Sequence, residues 1–192
     1  MKILVSITFL ILVTTLTFGQ KTKTTKKPTP CSILLKKGFT NQFCKYDSTN
    51  EFKSISFGSK FELVDSLMQL KRVSYYSNVY DIQNEKYIDW GITKFSRGYV
   101  QFTDNKFVGV TLDLMDAKGV PYYKFENILK HLTDLFGPPK VIPTSNPNIT
   151  LHEWEGNKLT IDINYFNPAN SGGMVTLKIF SNNSTGKGAD NM

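Results

Sequence analysis

Apolar positions recur at helical spacing in two places along the chain. In SKFELVDSLMQLKR, Phe61, Val64, Leu67, Met68 and Leu70 form a mostly one-sided stripe. Ser59 and Glu62 stand at the S-x-x-E spacing of a capping box, and Lys71 and Arg72 fall at the C-terminal end, where the helix dipole favours cations. In YYKFENILKHLTDLFGPP, Phe125, Ile128, Leu129, Leu132, Leu135 and Phe136 repeat the pattern, and Gly137, Pro138 and Pro139 stop it. After each stripe the period falls to two. KYIDWGITKF and RGYVQFTDNKFVGVTLDLM follow the first, with Asp104-Asn105 as a two-residue turn. ITLHEWEGNKLTIDINYF and MVTLKIFS follow the second, with Gly156-Asn157 as the expected turn.

The order helix, hairpin, strand therefore occurs twice, and KFE recurs at Lys60-Phe61-Glu62 and Lys124-Phe125-Glu126. This predicts an α+β fold: an antiparallel sheet with helices on one side, built from two tandem α-β-β-β units at about 54–115 and 121–181. The domain is expected to span 51–181, with 182–192 (NNSTGKGADNM) as a disordered tail.

The N-terminus has a different pattern. Lys2 precedes an apolar run from Ile3 to about Val13, then small and polar residues to Gly19. This is the layout of a secretory signal peptide over 1–19 with cleavage before Gln20, and the run falls short of the roughly 20 apolar residues a membrane span needs. Residues 20–50 follow as a basic Lys/Thr/Pro tether, QKTKTTKKPTP, and a loop from Cys31 to Cys44. In an exported chain this lone cysteine pair is expected to close, contributing about 3 kcal/mol. The expected location is periplasmic or secreted.

Charge adds little beyond this. The chain is formally +7, but residues 46–181 hold 14 Lys and Arg against 15 acids. The basicity belongs to the N-terminal segment. A nucleic-acid domain carries its positive charge on the fold, so nucleic acid is not expected as a partner. The basic tail could make weak, salt-sensitive contact with an anionic envelope surface.

Candidate chemistry is sparse. There is no G-x-S-x-G elbow, P-loop or dinucleotide fingerprint, and no catalytic residue, cofactor or metal ligand is assigned. His131 and His152 are the only histidines. In LHEWEGNKLTIDINYF, the pleat sends His152 and Trp154 to one face with Leu159, Ile161 and Ile163, and Glu153 and Glu155 to the other. His152 and Glu153 thus cannot converge on one atom. Glu153 and Glu155 share a face, roughly 6.5 to 7 Å apart at Cα, which admits a hydrolytic pair, but the favoured reading is a solvated strand face beside Lys158 and Asp162.

FGSKFELVDSLMQL, GYVQFTDNKFVGVTLDL, ILKHLTDLFGPPKV and HEWEGNKLTIDI resemble segments of small exported bacterial α+β proteins of the BLIP-like and BamE-like (SmpA/OmlA-type) class. The shared phrase is a helix ending Leu135-Phe136-Gly137-Pro138-Pro139 and then a strand bearing Trp154. The resemblance implies a non-enzymatic module that binds a protein partner. An aromatic surplus gives that expectation residues: Tyr75, Tyr76, Tyr80, Tyr87, Trp90 and Tyr99 are the possible interaction surface, with Tyr122 and Tyr123 also in excess. The alternatives are a carbohydrate-active hydrolase or glycan-binding domain using carboxylates and aromatics, and a structural envelope protein.

Overall fold

The computed structural model describes residues 29–168 and 173–183. The expected signal peptide, the tether up to residue 28 and the tail from residue 184 lie outside the described residues.

The chain opens with a helical pair, α1 (Pro30–Lys36) and α2 (Asn41–Thr49), followed by a two-stranded hairpin, β1 (Glu51–Phe52) and β2 (Ile55–Ser56). Helix α3 (Phe61–Met68) leads into β3 (Leu70–Arg72), β4 (Val79–Ile82), β5 (Arg97–Thr103) and β6 (Lys106–Leu114). Helix α4 (Tyr122–Phe136) leads into β7 (Lys140–Ile142), β8 (Ile149–Glu155), β9 (Leu159–Phe166) and β10 (Met174–Ser181). Among the described residues the last eight strands form one antiparallel sheet in the order β3-β4-β5-β6-β10-β9-β8-β7. The fold is α+β, with the helices on one side of the sheet. Two four-stranded meanders meet at β6 and β10 in the centre.

Each half is therefore a helix with four strands, one more than expected. In the first half the extra strand comes out of the expected helix. Gln69 takes left-handed φ 54, and the Asp65 carboxylate accepts from the Leu70 amide at 2.8 Å. Leu70, Lys71 and Arg72 then pair with Ile82, Asp81 and Tyr80 as an edge strand, so Lys71 and Arg72 do not serve the helix dipole. The expected capping box is also absent: the N-cap is Lys60, with no side-chain hydrogen bond. Ser59 instead gives its carbonyl to the Phe107 amide at 2.8 Å, which stitches this connection to β6.

The Cys31–Cys44 disulfide is present and joins α1 to α2. The segment expected as a loop beside the domain is helical and part of the core. Leu34, Phe43 and Cys44 are buried with the sheet residues. Thr40, the N-cap of α2, accepts from the Phe43 amide at 3.1 Å and donates its hydroxyl to the Leu135 carbonyl. Its amide donates to the Phe136 carbonyl at 3.1 Å, and the Trp154 indole donates to the Gly137 carbonyl at 2.8 Å. Three otherwise orphaned carbonyls at the end of α4 are satisfied in this way by two distant segments.

The helix-facing side of the sheet is apolar: Val100, Leu112, Leu177, Ile179, Ile161, Ile163 and Trp154 are all fully buried. From α4, Phe125, Ile128, Leu132 and Phe136 pack onto it, and from α3, Val64 and Met68 do so. Among the described residues no helix is long and apolar enough to cross a membrane.

Candidate functional site

Among the described residues no helix covers the other sheet face. In the central strands its side chains are mostly the polar phase of the alternation, with apolar residues toward the β3–β4 side and on β7 and β8, and the register aligns them in rows. One row crosses all eight strands: Lys71, Asp81, Tyr99, Thr111, Lys178, Asp162, Glu153 and Lys140, each opposite the next. The row beside it runs Arg97, Asp113, Thr176, Asn164, Leu151 and Ile142.

Over the middle of these rows lies a groove of about 490 Å³. Val73, Tyr76 and Val79 line it from the β3–β4 side, and Ile149, Phe166 and Met174 from the strands β8–β10. Tyr99, Thr111, Asp113, Asn164, Thr176 and Lys178 line it between them, and Asn146 completes the wall. A largely apolar concavity with a few placed polar groups is the usual form of a binding site.

Asp113 is its one carboxylate among the described residues. The Thr176 hydroxyl, itself buried, donates to Asp113 Oδ1 at 2.8 Å. Burial pushes the Asp113 carboxyl above the usual carboxylate range, and this outweighs the opposing effects of the Thr176 hydrogen bond, Lys178 and Arg97. Arg97 lies opposite Asp113 in register yet does not reach ion-pair distance, nor does Lys178. The Arg97 guanidinium is held above its ordinary value, first by the neighbouring Tyr99 side chain.

The six aromatics singled out from the sequence separate. Tyr76 and Tyr99 line the groove, and Tyr75, 92% exposed, stands in the same β3–β4 connection as Tyr76. Tyr80 faces the helices, with its ring 4.9 Å from Phe61 and 5.7 Å from Phe102. Tyr87 is buried in the core beneath the Lys86 ammonium, and Trp90 packs partly buried against the same core. Tyr122, half-exposed, rests edge-on against Tyr165, and Tyr123 is exposed.

His152 and Glu153 are on opposite faces, as the pleat requires. His152 packs on the helix side, its ring 5.9 Å from Phe125 and its Nδ1 buried without a hydrogen-bond partner among the described residues. Burial lowers its pKa. Glu153 lies on the open face opposite Lys140 and Asp162. Its carboxyl is raised, first by burial and then by the neighbouring Glu155 charge, with Lys140 opposing. Among the described residues no group of three or more His, Cys, Asp and Glu could hold a metal ion.

Asp113, Thr176, Asn164, Phe166 and Met174 were not singled out from the sequence. Their signal was present only as phase: Thr111 and Asp113 alternate with Leu112 and Leu114, and Thr176 and Lys178 with Leu177 and Ile179. What joins them is the pairing of β6 with β10, which local pattern does not encode. No family model, curated protein or solved structure matches the chain.

Proposed function

We propose that this protein is an exported, non-enzymatic module that binds a protein partner in the groove of its open sheet face. The observation that carries the reading is the groove itself: aromatic and aliphatic side chains at both sides of a polar floor, on a face that no helix covers among the described residues. Interface cores are built this way, with a few aromatic anchors and charge kept sparse. The disulfide fits an oxidising compartment, and with the N-terminal signal pattern it favours a periplasmic or secreted location. The resemblance to BLIP-like and BamE-like exported proteins points to protein binding as well. In this reading the Lys-rich segment adds only weak, salt-sensitive attraction to an anionic envelope surface.

The test is capture from the native envelope fraction by immobilised mature chain. Tyr99→Ala and Phe166→Ala, which alter the groove walls, should lose the captured species, and Tyr75→Ala should lose less. Equal capture by all the variants would refute groove binding.

A second reading has one observation in its favour. Tyr76, Tyr99 and Phe166 lie with Asp113, Asn146 and Asn164, an aromatic, carboxylate and amide set that also suits sugar rings and hydroxyls. Saturable binding of an envelope oligosaccharide, lost in Tyr99→Ala, would favour it over a protein partner.

A further inference from the structure

The groove has an unusual charge at its floor. Among the described residues Asp113 is the only carboxylate lining it, and its sole hydrogen-bond partner is the Thr176 hydroxyl. The cations facing it from the neighbouring strands, Arg97 on β5 and Lys178 on β10, do not close on it. Asp113 is thus a half-buried carboxylate in a largely apolar groove, with Arg97 and Lys178 near enough to act on it but not in ion-pair contact, so the position of a direct cationic partner is open.

Resting on the protein-binding reading, we infer that Asp113 is the recognition point for a basic side chain, lysine or arginine, presented by the partner. The groove suits such a group along its length. Val79 and Met174 line the groove where an aliphatic stem would lie, and Tyr76 and Tyr99 line it as aromatic neighbours for the cation. The upward displacement of the Asp113 carboxyl agrees: Arg97 and Lys178 lower it, but not enough to offset burial. An incoming cation would complete what these two leave undone. A neutral donor would satisfy the free lone pairs but not the charge.

The probe is N-acetyl-arginine N-methylamide, titrated onto the mature chain and followed by backbone amide shifts at Thr111, Asp113, Thr176 and Lys178. The expected result is weak, saturable binding, with N-acetyl-norleucine N-methylamide binding roughly tenfold less well. Asp113→Asn keeps the shape and can still accept from Thr176, so it should remain folded while weakening the arginine probe by roughly tenfold. No saturable shift in the parent, equal binding of the norleucine probe, preference for an N-acetyl-aspartate probe, or unchanged binding in Asp113→Asn would each overturn the inference. Capture from the envelope separates this failure from that of the broader reading. If Phe166→Ala abolishes capture and Asp113→Asn does not, protein binding in the groove stands and only the basic anchor falls.

Discussion

The β5–β6 and β8–β9 hairpins, one in each half of the sheet, both turn within two residues, but they are held by different means. At β5–β6, Asp104 and Asn105 sit at φ 50 and 60, between the paired residues Thr103 and Lys106. Both residue types tolerate the left-handed region, and this turn's twist matches the strands, so two adjacent residues suffice to build it. At β8–β9 the central residues are Asn157 and Lys158, flanked by a Gly156 amide to Leu159 carbonyl bond of 2.9 Å. Neither central residue has positive φ. The buried Asp47 carboxylate, from α2, accepts from the Lys158 and Leu159 amides at 2.8 and 3.1 Å. Asn182, at the end of β10, takes the turn's carbonyls: its amide bonds Lys158 at 2.7 Å and its side chain bonds Gly156 at 3.1 Å. A turn that encodes itself is legible in the sequence, whereas one held by Asp47, over 100 residues away, and by Asn182 from another strand end is not.

That difference explains the register. The expected turn at Gly156-Asn157 paired His152 with Ile161, whereas the observed partner is Ile163. The turn lies one residue further along, so every pair shifts by two. A shift of two preserves the faces, and Trp154 remains buried with Leu159, Ile161 and Ile163. Gly156 has its own reason to be glycine: a Cβ there would lie 2.1 Å from Asp47 Oδ1.

Three substitutions test this contrast. The largest effect belongs to Trp154, where packing and a long-range hydrogen bond coincide. Trp154→Ala should lower stability by about 3–5 kcal/mol in urea denaturation. A loss below about 1 kcal/mol would mean that the junction of α4 with β8 is not a keystone of the second half. Next is the turn held from afar. Asp47→Ala strands two amides, one of them the buried Leu159 amide, and should lower stability by about 2–3 kcal/mol. Asn105→Gly in the self-encoded turn should stay within about 0.5 kcal/mol. Equal losses at the two turns would erase the distinction.

A smaller effect depends on pH. Burial lowers the His152 pKa below its ordinary 6.5, so the unfolded chain takes up this proton first as pH falls. His152 therefore contributes nothing above pH 6.5 and an increasing loss of stability as pH drops below it. Replacing His152 with Gln should flatten the fall in urea midpoint between neutral and mildly acidic pH, and an unchanged slope would show that the proton finds a partner in the folded state. The smallest effect is at Asp113, and its sign is reversed for a carboxylate. Its raised pKa means that the folded state holds the proton longer, so its penalty is absent below the ordinary value of 3.8 and grows as pH rises through the raised one. Asp113→Asn should match or slightly exceed the parent stability at neutral pH, by less than about 1 kcal/mol. A clear loss would show the carboxylate to be structurally required rather than held for a ligand.

The sequence by itself determined the elements whose information is local. The stripe from Phe125 to Phe136 and the stop at Gly137 define α4 as it is found, because burial of one face at 3.6-residue spacing needs no distant cue. Alternation in TLDL, LTIDINYF and MVTLKIF fixed which side chains face the helices, and Asp104-Asn105 fixed a hairpin. Tertiary structure decided the rest. It drew Leu70–Arg72 and Lys140–Ile142 out as three-residue edge strands, too short for a period to register. It made α1 and α2 a clamp, because the carbonyls ending α4 and the amides of the β8–β9 turn had to find partners and Thr40 and Asp47 were brought there. It also made the groove. Val73, Asp113, Phe166 and Thr176 are strangers in sequence and became neighbours only when β6 paired with β10, a contact whose specificity lies in hydrogen-bonded register rather than in any run of residues.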